Sequence, residues 1–310
     1  MHNYYISQDG LIREINEYTD NCWIKLTNPT EKECLDVSRQ FNLELADVRA
    51  ALDEDEASRV VTEEGYTLVL VDIPVREAVN VAFSYTTIPI GVFITPTCVI
   101  TVCARESLVL KDIIYSRRKI YSTKRRKRLC CQILYRNCMV YQALLRDIDK
   151  KREEVEKKIN KDLQDSDLIN LHYLETNLVY FATALRANQT VLERIRRYGI
   201  LKEYEEDEEL LEDTIVENTQ AIETTKIYQD IIRSTSELFS TVINNRLNDV
   251  MKLLTSITIV MTLPTIIAGI WGMNVNLPFG RSPFGFGIVL LITMLICIIT
   301  VAILKKKKML

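Results

Sequence analysis

The 310-residue chain has only 9 glycines and 7 prolines, and its last 60 positions contain no aspartate or glutamate. The first scarcity, with 47% apolar residues, excludes a collagen-like or disordered chain. Two histidines, His2 and His172, are too few for a histidine-rich metal cage and argue against Ser/His/Asp chemistry. The eight cysteines form no Cys-x-x-Cys pair; Cys130 and Cys131 are adjacent and Cys98 and Cys103 are five apart. They read as small apolar fillers in a reducing compartment, not as zinc ligands or disulfides. Residues 1–10 show no basic segment followed by an apolar run, so no signal peptide is expected.

The missing acids divide the chain. Residues 251–310 carry six basic residues and net +6, whereas residues 1–250 carry 33 basic and 42 acidic residues, net −9. The mean hydropathy of +0.01 therefore averages an acidic body with a basic, apolar tail. Within the tail, 253–270 is 18 residues without a charge and 282–304 is 23. A helix needs roughly 20 apolar residues to cross a bilayer, so both are candidate spans. The connection 271–281 is rich in Gly, Pro and Asn and too short for a domain. Lys305, Lys306, Lys307 and Lys308 follow the second span, while the connection carries only Arg281. The positive-inside bias then places both termini in the cytoplasm, with the hairpin in the plasma membrane.

The body alternates element types. A strand is expected over 22–27, then a capping-box helix start in which Glu33 follows Thr30 by three residues. Strand-like runs follow at 66–73, 79–85, 88–95 and 98–103, and Asp9-Gly10, Glu64-Gly65 and Thr95-Pro96-Thr97 are the turn signals between elements. An α/β domain is expected over 1–115. No Pro or Gly occurs from Arg117 to Tyr198. Two narrow apolar stripes run through this stretch, one of Tyr141, Leu145, Ile148, Val155 and Ile159, the other from Leu171 to Ile195. Arg152 and Asn188 are their polar exceptions. They predict an antiparallel helix pair over 116–205, turning near 165–167, with packing as its role.

Eight basic residues in twelve at 117–128 and eight acidic residues in eleven at 203–213 flank this pair. Without interleaved aromatics, the basic block gives no nucleic-acid partner, and both blocks read as solvated helix faces. From Lys202 to Pro264 neither Pro nor Gly breaks the chain, which predicts a stalk helix over 206–271, roughly 100 Å long. A loop at 272–283, a second span at 284–304 and a basic tail at 305–310 complete the division. The fold class is thus α+β.

Along the stalk, Glu237, Thr241, Asn244, Asn248, Met251, Thr255, Thr258, Thr262 and Thr265 recur four and three apart, and all but Met251 are polar. Such a stripe serves either helix–helix packing or a pore assembled from several copies. The residues alone leave both open.

The stretch ends in Trp271-Gly272-Met273-Asn274, preceded by Asn248-Asp249-Val250-Met251-Lys252-Leu253-Leu254-Thr255 and by Pro264-Thr265-Ile266-Ile267-Ala268-Gly269. In this position, before a short loop, a last helix and a lysine tail, the chain resembles the CorA family of magnesium transporters. The resemblance implies a funnel-shaped homopentamer in the bilayer, with no covalent chemistry and no cofactor beyond Mg²⁺ as transported and regulatory ion. It implies a selectivity filter at Gly272, Met273 and Asn274, with Asn274 meeting the hydrated metal. The pore would be lined by Thr265, Thr262, Thr258, Leu254, Met251, Asn248, Asn244 and Glu237. Asp213 matches a regulatory metal carboxylate, whose partner stays open between Asp72 and Glu77. Trp271 stands where many members have Tyr, and 275–281 reads Val-Asn-Leu-Pro-Phe-Gly-Arg where many have an acidic loop. Carriage of Zn²⁺, Co²⁺ or Ni²⁺, proton-coupled or not, is the alternative transport reading. A membrane-anchored coiled-coil scaffold is the alternative from another class.

Overall fold

A computed structural model of the chain describes residues 2–77, 84–117, 120–158, 165–273 and 284–309. It divides into two compact units, Met1–Ser236 and Glu237–Leu310. The first is built on a seven-stranded sheet in the order β2-β1-β3-β7-β6-β5-β4. Its strands are β1 (His2–Gln8), β2 (Leu11–Ile15), β3 (Trp23–Thr27), β4 (Arg59–Glu63), β5 (Tyr66–Arg76), β6 (Tyr85–Ile94) and β7 (Val99–Cys103). Every pairing is antiparallel except β3 with β7. Asp9 and Gly10, both at positive φ, close β1 onto β2 in a two-residue hairpin, the conformation that Asp-Gly favours. Helices α1 (Glu31–Phe41), α2 (Leu45–Ala50) and α3 (Leu108–Ile114) lie among the strands in sequence. Thr30 and Glu33 form the expected capping box: the Glu33 N–H donates to Thr30 Oγ1 at 3.3 Å, and the Thr30 N–H to Glu33 Oε2 at 2.8 Å.

Both faces of the sheet are covered. Leu68, Leu70, Phe93, Ile100 and Val102 join α1 and α2 in one core. Val69, Val71, Ile73, Ile90 and Val92 join a second core with Leu110, Ile133 and Leu192. Burial on both sides explains why β5 reads as a nearly unbroken apolar run. The expected strand at 79–85 falls mainly on 79–83, outside the described residues. The structure corrects the division at 86–87, since β6 runs unbroken from Tyr85 to Ile94 through Thr86, Thr87 and Pro89.

Pro89 is tolerated on the inner strand β6 because β7 ends at Cys103, opposite Ile90, so no ladder acceptor stands beside the proline nitrogen. Its partner in register is Asp72. The two form a non-hydrogen-bonded pair, and because β4 stops at Arg59 opposite Leu70, the Asp72 backbone faces away from β6 with no strand beside it. Its carbonyl accepts from Asn137 Nδ2 at 2.8 Å, Asn188 Nδ2 at 2.8 Å and the Tyr141 hydroxyl at 3.2 Å. The Asp72 N–H donates to Asn188 Oδ1 at 2.8 Å. A backbone site without a ladder partner is thereby turned into the dock for two helices.

Those helices are α4 (Arg126–Glu156) and α5 (Asp165–Tyr198), followed by α6 (Glu205–Trp271) and α7 (Gly285–Lys306). Contacts near both ends, Asn137 and Asn188 on Asp72 and Lys158 on Asp167, make α4 and α5 antiparallel. The residues of both apolar stripes are buried, apart from Ile159, which lies outside the described residues. α5 already starts at Asp165, so the expected turn at 165–167 is helix instead. α6 runs parallel to α4, through Cys138 to the Thr214 carbonyl and Gln142 to Glu217, and antiparallel to α5, through Asn218 to the Leu185 carbonyl and Gln229 to the Leu178 carbonyl.

Most of the acidic block is exposed, as a solvated face requires, but the two blocks also pair with each other. Arg125 and Arg128 meet Glu206 at 3.1 and 3.2 Å, Arg128 also meets Asp207 at 3.1 Å, and the Arg125 guanidinium lies 4.9 Å over the Tyr204 ring. Arg126, Lys127 and Arg128 occupy the first turn of α4, where the helix dipole disfavours cations. The carboxylates of α6 offset that.

α6 is one helix of 67 residues. The segment expected as a single stalk over 206–271 is divided between the two units at Ser236. Its first part is anchored in the sheet-bearing unit by Leu211 and Ile215, which join the core shared with α4 and α5. In the second unit α6 and α7 form an antiparallel hairpin. Ser256 Oγ donates to the Met309 carbonyl at 2.9 Å at one end, and Trp271 and Gly272 share a cavity with Phe286 at the other. Both helices are long and apolar enough to cross a membrane.

Candidate ion pathway and regulatory carboxylates

The face of α6 turned to α7 is marked by buried Ser256 and by Pro264, Ile267, Ala268 and Trp271, which line the shared cavity with Val289, Thr293 and Cys297. At about 100° per residue, Met251, Thr258, Thr262 and Thr265 project roughly half a turn away. All four are exposed, as are Glu237, Thr241, Asn244, Asn248, Leu254 and Thr255. Leu254 and Thr255 flank the axis of this face on opposite sides, with Met251 near its middle, so neither side chain displaces the other.

The threonines share one hydrogen-bonding state. Thr255, Thr258, Thr262 and Thr265 donate to the carbonyls of Met251, Leu254, Thr258 and Met261 at 2.7, 2.8, 2.6 and 3.1 Å. With the hydroxyl hydrogen committed to the helix, each oxygen presents only lone pairs outward. The outward face is therefore an acceptor surface, suited to a cation or to the hydrogens of its water shell.

At the end of α6 the Gly272 N–H donates to the Ala268 carbonyl at 2.9 Å and the Met273 N–H to the Ile270 carbonyl at 3.3 Å. A Cβ on Gly272 would stand 3.3 Å from the Ala268 oxygen, a tight approach to backbone. The last turn of α6 has no basic residue, so the negative end of its dipole is uncompensated there. Asn274 and the rest of the loop to residue 283 lie outside the described residues.

Asp213 is exposed and borders an open cavity of about 590 Å³ with Lys202, Glu205, Glu208, Glu209 and Glu212. Among the described residues no group of three His, Cys, Asp or Glu side chains is placed to hold a metal within one chain. Neither candidate partner is shown beside Asp213. Glu77 accepts from the Ser84 hydroxyl, and the Asp72 carboxylate accepts from Ser58 Oγ at 3.1 Å.

Burial pushes the Asp72 carboxyl up to about 6, with the Ser58 hydrogen bond pulling the other way. A raised pKa means that the folded protein retains a proton which the unfolded chain releases, so stability falls as pH rises from about 4 to 6. Asp72→Asn is expected to stabilise the protein at pH 7.5 by up to about 3 kcal/mol, a gain that vanishes near pH 4. Thermal unfolding of both proteins across this range checks it, and a gain independent of pH would contradict the assignment.

A sheet-bearing domain whose last helix continues into a two-helix hairpin, with an acceptor-only face opposite the second helix, has the build of a membrane ion transporter. The chain belongs to the CorA-like Mg²⁺ transporter protein family, whose model matches residues 18–306. It is a CorA-like divalent cation transporter, from a family of channels and transporters rather than enzymes. The cobalt/magnesium transport protein CorA of Methanocaldococcus jannaschii is 27% identical over 293 residues, covering 92% of this chain and 90% of that one. The complete structure of the CorA magnesium transporter from the same organism matches with a TM-score of 0.79 at 25% identity, over 98% of this chain and 96% of that chain. The cobalt/magnesium transport protein CorA of Thermotoga maritima is 28% identical over 169 residues, 54% of this chain and 48% of that protein.

Two features escaped sequence reasoning. The polar interruption at Asn188 was a visible signal of the dock on Asp72, but its partner was not. The opposite signs of the two charge blocks likewise hinted at the pairing between α4 and α6.

Proposed function

We propose that the chain carries Mg²⁺ into the cell down its electrochemical gradient, through a pore formed by five copies with the threonine face of α6 turned inward. The observation that carries this reading is the acceptor-only stripe standing opposite α7, where a lone hairpin would put polar oxygens against lipid. A symmetric assembly removes that cost by facing the stripe to water. Mg²⁺ dehydrates reluctantly, so it is best selected with its shell intact. Neutral oxygens of Asn274 and Gly272 bind that shell without stripping it, and weak sites in series at Thr265, Thr262 and Thr258 permit release. Met251 and Leu254 supply an apolar constriction, and Asn248, Asn244 and Glu237 the polar path beyond it. The lysines after α7 come to the same end of the hairpin as Ser256, which supports a cytoplasmic position for that end.

Purified protein in liposomes tests the reading directly. Mg²⁺ entry is expected without a pH gradient and in preference to Zn²⁺; Zn²⁺ entry that requires a pH gradient would replace it with proton-coupled zinc transport. That second reading draws on Arg281, which stands in the loop where many members carry an acid.

Gating follows from Asp213. With no complete cluster inside one chain, Mg²⁺ at this carboxylate takes its other ligands from a neighbouring copy, and like-charged surfaces repel once the ion leaves. Asp213→Lys is expected to abolish the protection that Mg²⁺ gives the closed state against proteolysis. Protection equal to that of the unaltered protein would remove Asp213 from the sensor.

A further inference from the structure

The hairpin of α6 and α7 carries unpaired charge at one end. Lys305, Lys306, Lys307 and Lys308 are all exposed, and among the described residues none of them makes an ion pair. Lys252, one turn of α6 before Ser256, is by contrast held by Asp249 at 3.1 Å. Lys305 is the first charge after the 23 uncharged residues 282–304, so the ammoniums begin where the apolar span stops. Positive-inside orientation needs such charges but asks for no particular conformation.

The conformation is nonetheless specified. The Met309 N–H donates to the Leu304 carbonyl and the Lys308 N–H to the Lys305 carbonyl, both at 3.1 Å, with Lys308 at φ 54°. This is a Schellman turn, whose left-handed position is usually glycine because a Cβ is strained there. A lysine occupies it. The Met309 carbonyl then accepts from Ser256 Oγ at 2.9 Å, and Ser256 is fully buried, so the turn is pinned to α6. Leu304, 6% exposed, continues the row of Val289, Thr293 and Cys297 that faces α6. At about 100° per residue, Lys306 stands roughly 200° round the helix from Leu304, and Lys305 roughly 100°. Lys306 therefore falls on the side of Leu291, Leu295 and Ala302, all exposed, which is the face of α7 turned away from α6.

We propose that this lysine turn binds the headgroup of an anionic phospholipid, with Lys305 and Lys306 at the phosphate, Lys308 adding to the field, and the acyl chains along Leu291, Leu295 and Ala302. Each component excludes an alternative. A free phosphate or a soluble phosphate ester meets the charge but leaves the apolar face beside it uncovered. A zwitterionic phospholipid covers the face but brings its own cation to the ammoniums. An anionic lipid supplies both, and each lysine near a membrane surface strengthens its binding by about fivefold. The inference rests on the hairpin lying in a bilayer, and not on which ion is carried.

The test is native mass spectrometry of the full-length, detergent-solubilised protein, titrated with phosphatidylglycerol or phosphatidylcholine of identical acyl chains. The first phosphatidylglycerol is expected to bind at least about tenfold tighter than the first phosphatidylcholine. Lys305→Gln combined with Lys306→Gln should bring the two lipids to within about twofold of each other. Lys308→Gly relieves the left-handed position and keeps the turn, yet should weaken phosphatidylglycerol alone by about fivefold. A purely structural turn predicts no change in that variant. Glycerol 3-phosphate, a headgroup without acyl chains, should not compete at millimolar concentration. Thermal melts of both variants verify folding, and no flux is measured, so failure here leaves the transport reading standing. Equal binding of the two lipids, displacement by glycerol 3-phosphate, or unchanged phosphatidylglycerol affinity in either folded variant overturns the proposal.

Discussion

Asn274→Ala is expected to abolish Mg²⁺ entry into liposomes while the protein still assembles. The size of the effect comes from symmetry. One hydrogen bond to the water shell of the ion is worth about 1 kcal/mol. In an assembly of five the substitution removes every copy of it at once, roughly 5 kcal/mol, and each 1.4 kcal/mol is about a tenfold change in rate. More than three decades of flux would go, beyond the sensitivity of a dye-based assay. Alanine makes no demand on the end of α6, where the tight position is Gly272, so the assembly is expected to survive. Retention of normal flux by an assembled Asn274→Ala protein would end the asparagine-ring reading. Loss of assembly would instead make Asn274 a structural contact.

The second large effect is on stability. Asn188 makes two hydrogen bonds to one residue, accepting from the Asp72 N–H and donating to its carbonyl. Asn188→Leu keeps the side chain's approximate volume in a site that is 3% exposed. The carbonyl retains Asn137 and Tyr141, whereas the Asp72 N–H has no other hydrogen-bond partner among the described residues. An orphaned buried N–H, with a hydrogen bond lost at the carbonyl, costs about 3 kcal/mol. For a unit of this size that lowers the unfolding temperature by roughly 6–12 °C. Tyr141→Phe is the matched control, since two donors to the carbonyl remain, and about 1 kcal/mol is expected. If the two variants melt together, Asn188 is ordinary packing and its bonds to the Asp72 backbone are not what holds α5 to the sheet.

Both results bear on how much could be read from the chain alone. The capping box at Thr30 and Glu33 was legible because its two hydrogen bonds join residues three apart. The Asp9-Gly10 turn was legible because positive φ is a property of the residues themselves. The helix pair was legible as periodicity, and the stripe residues that the structure describes are buried as that periodicity required. Asn188 interrupted the pattern and could only be named an exception, since its partner is 116 positions away. Arg152, the other exception, turned out to pair within its own helix, with Asp149 and Glu156. The basic and acidic blocks lie about 80 residues apart in sequence, and each alone resembles a hydrated surface.

The ion pathway divides in the same way. Residue type and four-three spacing place the threonines on one face of α6 with no further information, because helical geometry is local. That the face stands opposite α7, and that each hydroxyl hydrogen is already given to the helix, required the packed hairpin. Length and missing charge are sums over neighbouring residues, so the acid-free tail was enough to locate the two membrane helices. The counterparts of Asn188 and of Arg128 are fixed by contacts between distant segments, and only the tertiary fold brings those segments together.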